Sequence, residues 1–144
     1  MAQVTITATE VLPSAAADIR TGTVGAATTV TAGVMVYLDA ATSTLLKTSA
    51  QTSAATAAAV GMCLNGGSTG QVVRYVASDT ALQLGSTAAI PIGTVLVLDD
   101  AAGLLATTYA DLDAGDFVTT CGTVTALTNG VTRFQINPSG VAKQ

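Results

Sequence analysis

The sequence predicts an all-β fold, a compact β-sandwich or β-barrel-like domain with little helix. Three observations predict it. First, residues 24–46 recur in altered form over 84–105: Gly25 falls on Gly85, Val30 on Ile90, Gly33 on Gly93, Leu38 on Leu98, Asp39 on Asp99 and Ala41 on Ala101. The match continues weakly, with Val60 and Cys63 on Val118 and Cys121, and Arg74-Tyr75 on Arg133-Phe134. Second, each copy reads as glycine, an alternating apolar run, an Asp-headed turn and an apolar pair, which is a β-hairpin unit used twice. Third, nowhere does apolar spacing keep a helical period between caps. Two copies fall short of the stack a solenoid needs, so one domain with two similar hairpin units is expected.

Residues 1–23 are an N-terminal arm outside the repeat. Val4 and Ile6 alternate with Thr5 and Thr7 as in a strand, until Pro13 and the small residues after it interrupt the pattern. No second strand lies beside the arm in sequence, so pairing to another chain is expected. The single β domain covers 24–136, with its units at 24–76 and 84–136. In the first unit Ala32-Gly33 turns the chain into the apolar run 34–38. Asp39 then opens a tight connection, where its carboxylate can accept hydrogen bonds from the backbone just ahead. Residues 48–59 are a Ser/Thr/Ala stretch, read as a loop with room for one helical turn.

A buried strand is expected over 58–64, a long turn over 65–70 and an alternating strand over 71–76 that pairs back as a hairpin. Near the end, Asn129-Gly130 separates two alternating runs. This pair is a strong hairpin signal because both residues tolerate positive φ. The polar tail 137–144, with Pro138 and Gly140, is expected to fray.

The 144 residues suit one domain. Ala and Thr supply more than a third of them and aromatics only 3%. Small side chains bury little area at about 25 cal/mol per Å², whereas ordering each residue's backbone costs about 1–2 kcal/mol regardless of side-chain size. Ladder hydrogen bonds and contacts between copies are therefore expected to carry an unusual share of the stability. Only 10% of residues are charged, with a net charge of −4. The basic residues Arg20, Lys47, Arg74, Arg133 and Lys143 are scattered, which disfavours nucleic acid and anionic membranes as partners. The opening MAQVTITATE lacks the basic and apolar regions of a secretory signal. Synthesis in the cytosol is therefore expected, and with it reduced Cys63 and Cys121. Buried free thiols are the default in strand-like runs; a bridge would need the two strands to be neighbours.

No residue set argues for catalysis. Gly66-Gly67-Ser68-Thr69-Gly70 matches a nucleophile elbow, but the chain has no histidine to act as base and a strand follows the motif. The acidic run at Asp111, Asp113 and Asp116 departs from a calcium loop in its glycine and lacks the closing glutamate. Asp99-Asp100 resembles an acid–base pair, but Asp99 matches Asp39, where Ala40 replaces the second carboxylate, so it reads as turn chemistry. No cofactor, metal or small-molecule substrate is expected. The few aromatics are expected to anchor the core rather than stack on bases or sugars.

The order Val36-Tyr37-Leu38-Asp39, Leu45-Leu46, Ala57-Ala58-Ala59-Val60-Gly61-Met62 and Val73-Arg74-Tyr75-Val76 resembles the small head-decoration proteins of tailed phages. These include the lambda-type capsid stabilisers. Residues 90–97, headed by Ile90-Pro91-Ile92-Gly93, look like the glycine-headed strand of the related capsid cement proteins. The duplicated unit and the stretch 48–59 depart from the lambda-type pattern.

The resemblance implies a structural virion protein on the outer capsid surface. It would be a homotrimer that stabilises the head by clamping neighbouring major capsid subunits. It also implies that the arm adds to capsid structure as an extra strand, with Gln3, Val4, Thr5, Ile6 and Thr7 as capsid contacts. If the arm is not the anchor, the hairpin turns at Asp39 and Asp99 take that role. The alternative is another virion or surface element, such as a tail-fibre or tail-tube segment or a surface-layer module.

Overall fold

The computed structural model describes Val4 and residues 6–50, 53–84, 90–99, 101–108, 112, 114–128 and 131–143. Strand accounts for 50% of the chain and helix for 6%, and the strongly curled antiparallel sheet forms a half-barrel, as an all-β domain requires. The first strands are β1 (Asp18–Thr23), β2 (Thr29–Val30), β3 (Met35–Asp39), β4 (Thr44–Lys47), β5 (Gly61–Cys63) and β6 (Gly67–Ser68). They are followed by β7 (Val72–Gln83), β8 (Val95–Leu98), β9 (Leu105–Ala106), β10 (Phe117–Thr128) and β11 (Val131–Lys143).

Among the described residues the main sheet runs β4-β3-β5-β7-β11-β10-β8-β9, with β1 also pairing on β7. This order is a palindrome. Strands β4, β3, β5 and β7 of the first unit are answered by β9, β8, β10 and β11 of the second. The halves meet at the antiparallel pair β7–β11, where Leu82 faces Phe134. Local details repeat as well. Gly33 and Gly93, both at φ 92°, turn the chain into β3 and β8. The Gly33 N–H donates to the Cys63 carbonyl at 2.9 Å, and the Gly93 N–H donates to the Val124 carbonyl at 2.7 Å.

Cys63 thus corresponds to Val124, not to Cys121. The pairings Cys63↔Tyr75 and Val124↔Phe134 agree, as do Val36↔Gly61 and Leu96↔Gly122. Facing β8, a register shift between Thr120 and Gly122 gives β10 one residue more than its partner, whereas no shift interrupts the pairings of β5. A bulge places two residues opposite one and displaces everything beyond it.

The units close differently. In the first, β1 pairs with β7, and Val24, just after β1, makes a parallel bridge to Leu45 in β4. The curled strands enclose a small core of Val24, Val30, Val34, Val36, Leu45, Cys63, Val73 and Tyr75. In the second, Leu96, Val124 and Phe134 occupy the equivalent positions but belong to the main core. Met35, Met62 and Val76, from the other face of the first unit, pack into that same core. The first unit therefore acts as a lid on the second.

Between the two lies the Ser/Thr/Ala stretch. It forms one helical turn, α1 (Ala54–Ala57), because Ser53 and Thr56 make a capping box. The Thr119 hydroxyl donates to the Ala57 carbonyl at 2.7 Å and holds the turn against β10.

Three expectations are corrected. The arm is not unpartnered: β1 lies within 1–23 and joins the sheet, while Val4 and Val11 are buried in the main core. The tail does not fray at Asn137. β11 continues to Lys143, and its Val141, Ala142 and Lys143 pair with β10. The ladder outweighs the polar composition because Ser139 and residues 141–143 find β10 partners for their backbone. Lastly, the turn over 65–70 contains β6, which pairs with β2.

Candidate functional site

Two surfaces answer to the residues that sequence reasoning selected, the seat of the arm and the Asp-headed turns; a third, the outer face of the second unit, emerges only from the structure. Within the arm, the Val4 N–H donates to the Leu105 carbonyl on β9 at 2.8 Å. Ile6 is half-buried, and its Cγ2 lies 2.8 Å from where a Cβ on Gly33 would stand. Thr7 is exposed, and its carbonyl accepts from the Glu10 N–H at 2.9 Å, starting a 3-10 turn over Ala8–Glu10. Gln3 and Thr5 lie outside the described residues. Val4 and Ile6, expected to meet a capsid, face this chain's own core instead. Apolar alternation needs a partner, and a distant β9 supplies it as well as another chain would.

Further along the arm, Leu12 and Gln83 exchange two backbone hydrogen bonds at 3.1 and 2.9 Å. Ser14 then meets Asp79 on β7. Its N–H donates to one carboxylate oxygen at 2.7 Å and its hydroxyl donates to the other. Burial pushes the Asp79 carboxyl up, but hydrogen bonds from Ser14, Ala81 and Thr80 outweigh it and hold the group below its ordinary range. Sequence reasoning missed this latch. No local pattern pairs Ser14 with a residue 65 positions away.

Asp39 and Asp99 both stand at the start of hairpin turns. Asp39 faces Thr44 across the β3–β4 hairpin; its carboxylate accepts from the Ala41 N–H at 3.2 Å and the Thr42 hydroxyl at 2.9 Å. Asp99 heads the β8–β9 hairpin, and its N–H donates to the Leu104 carbonyl at 2.9 Å. It differs from Asp39 in being buried, which leaves it little surface for a partner. Asn129 and Gly130 lie outside the described residues. Thr128 and Val131, which flank them, are paired across β10 and β11.

The outer face of the second unit is where the repeat loses its symmetry. Met35, Met62 and Val76 are fully buried in the first unit, yet their counterparts Val95, Thr123 and Gln135 reach the surface. Val95 is 46% exposed and nearby Ile92 65%. Val95, Val97, Val118 and Thr120 line a groove of about 340 Å³, rimmed by Thr107 and Thr108. Its walls are mostly hydrocarbon. Periodicity alone does not reveal this surface, since it assigns Val95 to a strand without saying what covers either face.

The Gly-x-Ser-x-Gly match does not take the strand-turn-helix setting that a nucleophile elbow needs. Ser68, from the Gly-x-Ser-x-Gly match, sits exposed in β6, and its N–H donates to the Gln71 side chain at 2.8 Å. A strand follows it, so no elbow forms. No group of three metal-ligating side chains occurs among the described residues, although Asp111 and Asp113 lie outside them. Both cysteines are free and buried, and burial pushes each thiol up to about 12. Among the described residues no helix is long and apolar enough to cross a membrane. Compared with protein-family models, curated proteins and solved structures, the chain matches none.

Proposed function

We propose that the chain is a structural virion protein, a capsid decoration or cement domain that binds the outer surface of a phage head and clamps neighbouring major capsid subunits. It acts without catalysis, and its partners are the major capsid protein and, in a homotrimer, itself. The observation that carries the reading is the open apolar face of the second unit, around Ile92 and Val95, on a small and sparsely charged β domain. Isolated exposed apolar side chains are ordinary, but a hydrocarbon-lined groove rimmed by threonines suits a protein partner. The phrases at 33–76 and 90–97 that resemble the phage family lend support. Because the arm is seated in its own core, the contact is assigned first to this face and second to the Asp39 turn.

The test compares heads assembled with and without the chain, by negative-stain imaging and by the temperature at which they rupture. Saturable binding and a higher rupture temperature are expected, and Val95→Asp should abolish both while leaving the circular dichroism unchanged. Heads that never bind the purified chain would exclude the reading.

A further inference from the structure

The two edge strands of the sheet are guarded in different ways. Beside β4, the guard follows β1 directly: Val24 bridges Leu45, and the Gly25 N–H donates to the Leu45 carbonyl at 2.9 Å. Beside β9, the equivalent strand of the second unit, the guard is Val4, whose N–H donates to the Leu105 carbonyl at 2.8 Å. That guard comes from the opposite end of the sequence. The second unit is thus completed by a donated segment, where the first completes itself.

We infer that residues 4–14 form an exchangeable strap, and that a second copy of this chain can seat its own strap in the same groove. The groove is complementary by construction. Val4 and Val11 enter the main core, Ile6 and Val11 lie over Gly33, Leu12 pairs with Gln83, and Ser14 latches onto Asp79. A strap from another copy makes every one of these contacts unchanged. Only the connection to β1 differs. That connection is a turn in which the Ala17 N–H donates to the Ser14 carbonyl at 3.2 Å, and Ala15 and Ala16 within it are exposed. No large side chain anchors it. Opened, it becomes a short extended link that carries the strap away from its own groove, which is the usual route to exchange of identical elements between protomers. Local concentration then decides which strap is bound, and crowding of copies favours the neighbour's. Strap exchange stands whether or not the domain binds a capsid.

The experiment uses two full-length variants. In one, Ala15 and Ala16 are deleted, so that the strap cannot fold back on its own chain. In the other, eight Gly/Ser residues are inserted after Ala16, which weakens the strap's hold without preventing return. The probe is a fluorescent synthetic peptide of residues 1–14. Saturable uptake of the peptide is expected in at least one variant, at least tenfold weaker for the Ile6→Asp peptide. By light scattering, the shortened variant should remain associated at dilutions where the wild-type chain has dissociated. If the shortened variant does not fold, recovery of the native circular dichroism on adding peptide supports exchange equally. Failure of both variants to take up the peptide, or uptake indifferent to Ile6→Asp, would overturn it.

Discussion

The ring of Phe134 lies 2.8 Å from the point where a Cβ on Gly122 would stand, the same distance that separates the Tyr75 ring from that point on Gly61. Each aromatic side chain lies across a glycine on the neighbouring strand, once in each unit. The glycines let the strands press close, and the rings fill the space that results. With aromatics so scarce, these two anchor the main core and the small core respectively.

Gly122→Ala is therefore expected to be among the most damaging single substitutions. The added methyl would meet the Gln135 carbonyl oxygen at 1.9 Å, and the residue already sits at φ 152°. A loss of about 2–4 kcal/mol is expected, typical of backbone strain combined with overpacking. Urea unfolding of the variant checks it. An unchanged midpoint would mean that the strands of the second unit do not approach this closely.

Deleting residues 2–9 should destabilise the domain rather than leave it intact. Val4 is 6% exposed in the main core and Ile6 packs against it. Loss of these two side chains is expected to cost about 2–4 kcal/mol. Thermal unfolding of the truncated chain would show a lower midpoint, and β9 amides near Leu105 should exchange faster with deuterium.

Acid should loosen the strap. The Asp79 carboxyl is held below its ordinary value, so its contribution is fully present above the unfolded value of about 3.9 and is lost as pH falls through the lower folded value. Wild-type stability should fall more steeply than that of Asp79→Asn between about pH 5 and pH 3. Equal slopes would remove Asp79 as the latch.

Both thiols should be inert in the native state. They are buried, and with values near 12 almost none is thiolate at neutral pH. A thiol reagent at pH 8 is expected to modify neither Cys63 nor Cys121 until denaturant is added, and then both. Reaction of one thiol in the folded protein would indicate local opening around β5 or β10.

Much of the architecture was legible before any coordinates. Gly33 and Gly93, Asp39 and Asp99, and the apolar runs after the glycines identify the two hairpins, because turn residues and side-chain alternation act within a few positions. The Tyr75–Phe134 equivalence was legible for the same reason. The Cys63–Cys121 equivalence failed because the shift in β10 between Thr120 and Gly122, facing β8, carries no compositional mark.

Local sequence determined the strands, the turns and the all-β class, since backbone preference and period-two patterning depend only on near neighbours. Tertiary structure alone decided what covers each face: that Val4 completes β9, that Ser14 latches onto Asp79, that Met35 is buried while its counterpart Val95 is open. Those outcomes depend on which distant surfaces meet when the sheet curls, and an apolar residue carries no label saying which partner will exclude water from it.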